Sequence, residues 1–140
     1  MATMMVSQYL TTEEYACPCC SQLPPEYNSV SSGGIYWELF DAFTDLRGRF
    51  GEPIPVTSGF RCPLHNHAVG GKPLSVHLFG LALDCGFTDS VHVRKFEDLV
   101  NEYYPDLRMG VYYSNKFVHI DVGYLIKPRA LVHWAEGARW

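Results

Sequence analysis

Three β-branched side chains alternate with an aromatic ring, an imidazole and a carboxylate in Phe117-Val118-His119-Ile120-Asp121-Val122. A period of two marks a strand with one face in a core. Val118, Ile120 and Val122 form that inward face, so Phe117, His119 and Asp121 point the other way. Gly80-Leu81-Ala82-Leu83-Asp84 repeats the pattern. Leu81, Leu83 and Cys85 face inward, and Gly80, Ala82 and Asp84 face outward. Side by side, two such strands present His and Asp side chains over a floor of tiny residues, with Gly80 and Ala82 leaving room above it. One face of the sheet is core and the other is a site.

The rest of the chain supplies partners for the apolar face. Ile35, Leu39, Ala42, Phe43, Leu46 and Phe50 recur at helical spacing, predicting a helix over 35–50 that stops at Gly51. A second helix is expected over 91–104, with Val93, Phe96, Leu99, Val100 and Tyr103 on one side. Asp89 or Ser90 caps it and Pro105 ends it. Strands are expected at 56–58, 81–85, 108–113 and 116–122, the last two joined by Ser114-Asn115. Residues 1–33 read as an irregular segment with one capping-box turn at Thr11-Thr12-Glu13-Glu14. Residues 59–72 read as a long ordered loop, and 124–140 as a tail packed on the domain. The element order predicts an α+β fold: one domain over 1–140, with a small antiparallel sheet flanked by helices.

Composition excludes several functions. With 140 residues, 47% hydrophobic and 19% charged, the chain fits one domain with a real core. Eleven Lys and Arg against 15 Asp and Glu give a net charge of −4 with no basic run, against nucleic-acid binding. No apolar stretch approaches the ~20 residues that span a bilayer. The start, MATMMVSQYL, lacks the charged and apolar regions of a secretory signal, so synthesis in the cytoplasm is expected. Of five cysteines, three crowd together at 17, 19 and 20. The run Cys17-x-Cys19-Cys20 reads as lacking the C-x2-C spacing that structural zinc sites favour. Free or buried thiols are the expectation, with a second metal or a disulfide to Cys62 as the alternative.

His77, seven residues before Asp84, adds a second imidazole on the approach to its strand. Two imidazoles and a carboxylate suit a catalytic zinc that keeps its fourth position for water. On the residues alone, ordinary surface or core polar side chains remain the alternative.

The pattern Ser75-x-His77-x-x-Gly80-x-Ala82-x-Asp84, with His119-x-Asp121 later, resembles the zinc D-Ala-D-Ala carboxypeptidases and their L-alanyl-D-glutamate endopeptidase relatives. Their superfamily also holds lysostaphin-type enzymes and the hedgehog signalling domain. Ser58-Gly59-Phe60-Arg61-Cys62, Asn66 and Val69-Gly70-Gly71 are similar to the family's substrate loop, and Ala16-Cys17-Pro18-Cys19-Cys20 to the N-terminal segment of small phage and bacterial members. The resemblance covers about residues 11–123. It implies a hedgehog/D,D-peptidase-like fold and one catalytic zinc held by His77, Asp84 and His119. It further implies a peptidase that cuts peptidoglycan stem peptides, either D-Ala-D-Ala or an internal link such as L-Ala-D-Glu. Arg61 would face the substrate, where a planar guanidinium can grip a carboxylate or polarise a carbonyl; the alternative is a structural ion pair. Asn66 would bind substrate as well. Ser75 would hydrogen-bond near the ligands or substrate, or simply cap a loop.

Better-known members carry a general base, Glu or His, three or two residues before the last zinc ligand. Here those positions are Lys116 and Phe117. Asp121 is the nearest substitute, as a base that moves the water proton to the leaving amine or as a residue orienting the His119 ring. The departure keeps a second function in view: a catalytically silent zinc-containing domain that binds cell-wall peptide, or a virion structural component. The short chain fits a phage lytic enzyme or virion-associated protein acting on the cell wall, working as a monomer. Among the remaining residues, His65 and His67 read as solvated loop, and His92 as neutral surface. His133 is a candidate to close over the site. One of Tyr112 and Tyr113 is expected in the core and the other at the cleft edge, while Trp37 and Trp140 are expected to pack.

Overall fold

The computed structural model describes residues 5–24, 35–72, 75–126 and 134–140. A short hairpin, β1 (Met5–Ser7) and β2 (Leu10–Thr11), leads into the single turn α1 (Thr12–Tyr15). Thr11 and Glu14 form the expected capping box, each side chain bonded to the other's backbone N–H. Tyr15 is fully buried against Phe40, ring centroids 5.0 Å apart, and its hydroxyl donates to the Gly80 carbonyl at 2.6 Å. This anchors the N-terminal segment beneath the site.

Two helices cover the sheet. α2 (Ile35–Phe50) buries Leu39, Phe40, Ala42, Phe43, Leu46 and Phe50, and Gly51 stops it at φ +81°. Arg47 and Arg49 in its last turn complement the negative end of the helix dipole. α4 (Ser90–Tyr103) buries Val93, Phe96 and Val100, and the Asp89 side chain caps it by accepting from His92 N at 2.9 Å. The rings of Phe50, Phe87 and Phe96 pack together in tilted and edge-on pairs, centroids 5.3–6.3 Å apart, and join the two helices.

β3 (Val56–Ser58), β4 (Ala82–Gly86), β5 (Arg108–Tyr112) and β6 (Phe117–Asp121) form one antiparallel sheet in the order β3-β4-β6-β5. The period of two holds: Leu83, Cys85, Val118, Ile120 and Met109 are fully buried beneath α2 and α4. The fold is α+β, as expected. No described helix is long and apolar enough to cross a membrane.

Three expectations are corrected. The region 59–72 is not all loop, because α3 (Pro63–Ala68) occupies part of it, with Cys62 as N-cap and Pro63 at its first position. Gly80 is no open floor: it turns left-handed at φ +72°, and a Cβ there would meet Pro24 and the Tyr15 hydroxyl at 2.3 and 2.5 Å. His92 is not an indifferent surface imidazole. Its Nδ1 lies 2.7 Å from Asp89 Oδ1 and its Nε2 3.2 Å from Glu52 Oε2, and chiefly the hydrogen bond to Asp89 raises its pKa.

A raised pKa in the folded state means the protonated ring favours folding. That contribution is complete below the ordinary value of about 6.5 and disappears as pH rises through the raised one. The stability gap between the wild type and His92→Ala, read from thermal unfolding, is therefore expected to shrink as pH rises above about 6.5. A gap that grows with pH contradicts the assignment.

Candidate metal centre

Strand register assembles the centre. β4 and β6 pair Ala82 with Asp121 and Asp84 with His119, while β5 places Arg108 beside Asp121, Gly110 beside His119 and Tyr112 beside Phe117. Directly opposed residues share a face, so the two carboxylates, the imidazole and the guanidinium emerge together. The second imidazole comes from a 3-10 turn, Val76–Phe79. Ser75 caps that turn by accepting from His77 N at 3.2 Å, which fixes the entry of His77 toward the sheet.

One donor atom each of His77, Asp84 and His119 lies within 4.8 Å of the others. Asp84 Oδ1 is 3.2 Å from His77 Nε2 and 2.9 Å from His119 Nδ1. His77 Nδ1 is 2.6 Å from the Gly59 carbonyl, which can only accept, so Nδ1 carries the proton and Nε2 keeps its lone pair. That Nε2 is buried with no hydrogen-bond partner, despite the nearby Asp84 oxygen. In a residue only 2% exposed, a ring nitrogen left orphaned is costly unless something accepts its lone pair. A metal ion does, and this observation fits the residues to one.

His119 is held at its far side. Its Nε2 lies 2.6 Å from Asp121 Oδ2, while Asp121 Oδ1 accepts from Arg108 Nε and from Gly123 N, both at 2.9 Å. Burial opposes charge on His119, yet the hydrogen bonds to Asp121 and Asp84 push its pKa up to about 9. Burial likewise opposes charge on Asp84, but chiefly the hydrogen bond with the His119 ring holds its carboxyl below the usual carboxylate range. Burial lowers the pKa of His77 and keeps its ring neutral enough to ligate.

The centre lies on a cleft of about 630 Å³, with Arg61, Lys72 and Arg108 as its cations. The Arg61 guanidinium is braced by Ser58 Oγ at 3.0 Å, Asn66 Oδ1 at 3.3 Å and Asp84 Oδ2 at 3.3 Å. Trp134, Trp140 and Tyr112 supply an aromatic wall. Arg108 lies over the Trp140 and Trp134 rings at 4.9 and 5.8 Å.

The sequence model of the family described as Peptidase M15 matches residues 8–121. The chain belongs to that family. No curated protein matches it. Membership makes this M15 peptidase a hydrolase of the metallopeptidase type, and it carries a potential metal-binding group in His77, Asp84 and His119.

The residues singled out in the sequence distribute unevenly around the M15 centre. Arg61 and Ser75 line the cleft, Arg61 while paired to Asp84 and Ser75 while capping the turn of His77. Asn66 is only 3% exposed and is absent from the cleft wall. Its amide accepts from Arg61 and donates to the Lys72 carbonyl at 2.8 Å, which positions both segments. Asp121 is fully buried beneath His119. His65 and His67 ride on α3 away from the cleft lining, and His133 lies outside the described residues.

Trp140 does more than pack. Its ring is 5.4 Å from that of His119, its Nε1 donates to Tyr112 Oη at 2.7 Å, and its indole covers Gly110, where a Cβ would be 2.4 Å away. An isolated glycine within a strand signals such an approach, and Gly110 was the available clue. Neither Tyr112 nor Tyr113 is core: Tyr112 stacks on Phe117 at 4.4 Å along the cleft, and Tyr113 bonds Glu97 at the surface. Arg108 escaped the sequence reading, although the same period of two places it on the face of Asp121.

Gly59 presents the carbonyl that fixes the His77 tautomer, and a Cβ there would lie 2.7 and 2.9 Å from the Tyr15 backbone O and Cα. Backbone cannot yield as a side-chain tip can. Gly59→Ala is therefore expected to destabilise the metal-free protein by about 1–3 kcal/mol in urea unfolding. Unchanged stability contradicts this packing.

Proposed function

We propose that this M15 peptidase is a single-domain, zinc-dependent enzyme over residues 1–140 that hydrolyses peptidoglycan stem peptides, at D-Ala-D-Ala or at an L-Ala-D-Glu type link. The observation that carries the reading is the orphaned, buried Nε2 of His77 converging with Asp84 and His119 Nδ1 at an open cleft. Two nitrogens and one oxygen are a donor set that zinc favours in catalytic sites. When bound, the ion polarises a carbonyl and makes water a nucleophile near neutral pH.

The chain's own residues supply the rest. Arg61, Lys72 and Arg108 line the cleft, whose only carboxylates among the described residues are Asp84 and Asp121, both already engaged. Such a surface suits a peptide bearing free carboxylates, as stem peptides do. Arg61 can turn its fork toward a substrate carboxylate or toward the oxygen on which charge develops. Ser75 keeps His77 in place, and the aromatic wall receives the apolar part of the peptide. Of the two roles open to Asp121, the geometry supports orientation. Its carboxylate accepts from His119 Nε2, Arg108 and Gly123, so it holds the Nε2 proton and leaves Nδ1 for the metal. The protein would act as a monomer on the cell wall, as a phage lytic or virion-associated enzyme.

One observation favours a second reading, a domain that binds wall peptide without cutting it. Lys116 lies in an exposed turn, and Phe117 stacks on Tyr112, so neither position supplies a base.

Digestion of purified peptidoglycan by the zinc-loaded protein, followed by mass spectrometry, separates the two. Cleavage abolished by chelator and restored by zinc is expected, with loss of D-Ala marking a carboxypeptidase and freed stem peptides an endopeptidase. Retention on the wall without products, zinc being bound, overturns the peptidase in favour of the binder.

A further inference from the structure

Away from the cleft, the fold brings four cysteines together. Cys17, Cys19, Cys20 and Cys62 have sulfurs within 4.8 Å of one another. Cys19 Sγ is 3.5 Å from Cys17 Sγ and 3.4 Å from Cys62 Sγ. These separations far exceed a disulfide bond of about 2.05 Å. They approach the edge of a zinc tetrathiolate: a Zn–S distance of about 2.3 Å places tetrahedral sulfurs roughly 3.8 Å apart. Cys17 and Cys20, taken across Cys19, do have the C-x2-C spacing, which corrects the reading of this cluster as lacking it.

The backbone around the cluster is built to aim sulfurs. The 17–22 turn closes with Ser21 N donating to the Cys17 carbonyl at 2.7 Å and Cys17 N to the Gln22 carbonyl at 2.9 Å. Ser21 adopts φ +58°, a left-handed conformation that non-glycine residues rarely hold. Across the junction Cys62 caps α3, its sulfur accepting from His65 N at 3.4 Å. The two segments are already tied by Phe60 N donating to the Tyr15 carbonyl at 2.7 Å.

We propose that Cys17, Cys19, Cys20 and Cys62 form a second, structural zinc site, separate from the His77–Asp84–His119 group. Four sulfur ligands select zinc over harder ions and leave no open position for water, so this site is closed and non-catalytic. Each thiol releases its proton as the metal binds. The site staples the N-terminal segment to the residue following Arg61, and so fixes the loop from which that guanidinium reaches Asp84. Cys85, on β4 with its side chain buried in the core, takes no part.

The test is cobalt substitution of the full chain under reducing, oxygen-free conditions. Two equivalents are expected, one of them giving an intense thiolate-to-cobalt band in the near ultraviolet. Cys62→Ser should remove that band and one equivalent while leaving the other bound. Should this variant fail to fold, the wild type still decides through alkylation of the native zinc-loaded protein. Four thiols are expected to be protected and to react once chelator is added. A single equivalent without the band overturns the site, as do thiols that react freely with zinc present or an intact mass showing disulfides between these cysteines.

Discussion

The Asp121 carboxylate, shut away from solvent, accepts hydrogen bonds from His119 Nε2, Arg108 Nε and Gly123 N. A buried charge persists only where partners of this kind surround it. The three partners come from β6, from β5 and from the turn that follows β6, so the charge also holds these segments in register. Its consequence for chemistry is the orientation of one ring. With Nε2 committed to Asp121, His119 can only turn Nδ1 toward Asp84 and His77, and the centre takes its shape from that.

The two faces of the sheet serve opposite ends through one periodicity. Leu83, Cys85, Val118 and Ile120 drive the strands onto α2 and α4, and the intervening positions deliver Asp84, His119 and Asp121 to the cleft. A slip of one residue would exchange the faces, putting carboxylates in the core and leucines in the cleft. Core packing therefore enforces the geometry of the centre. His77 is the one member outside this scheme, and its position depends on Ser75 on one side and the Gly59 carbonyl on the other.

What the sequence made legible follows the same division. The alternation in 117–122 and 80–84, the helical spacing in 35–50 and the Asp89 cap are local signals, and each yields its element within a residue or two. The features missed depend on distant pairing or on very short elements. α3 spans six residues, too few for a helical period to declare itself. Trp140 reaches the cleft because the end of the chain runs parallel to β5 through a bridge between Met109 and Arg139, a contact no local pattern announces. Cys62 joins the sulfur cluster from 43 residues beyond Cys19, a separation at which the sequence offers a link between them only as an alternative. Gly80 read as open floor because the strand pattern contains no trace of Tyr15 and Pro24 folding over it.

The geometry of the centre turns on which nitrogen of His119 meets the metal. Loading the 15N-histidine-labelled protein with 113Cd and recording the metal–nitrogen couplings by NMR reads this directly. Coupling is expected at Nε2 of His77 and Nδ1 of His119, with a retained proton on His119 Nε2 bonded to Asp121. Coupling at His119 Nε2, with Asp121 released from the ring, would contradict this geometry.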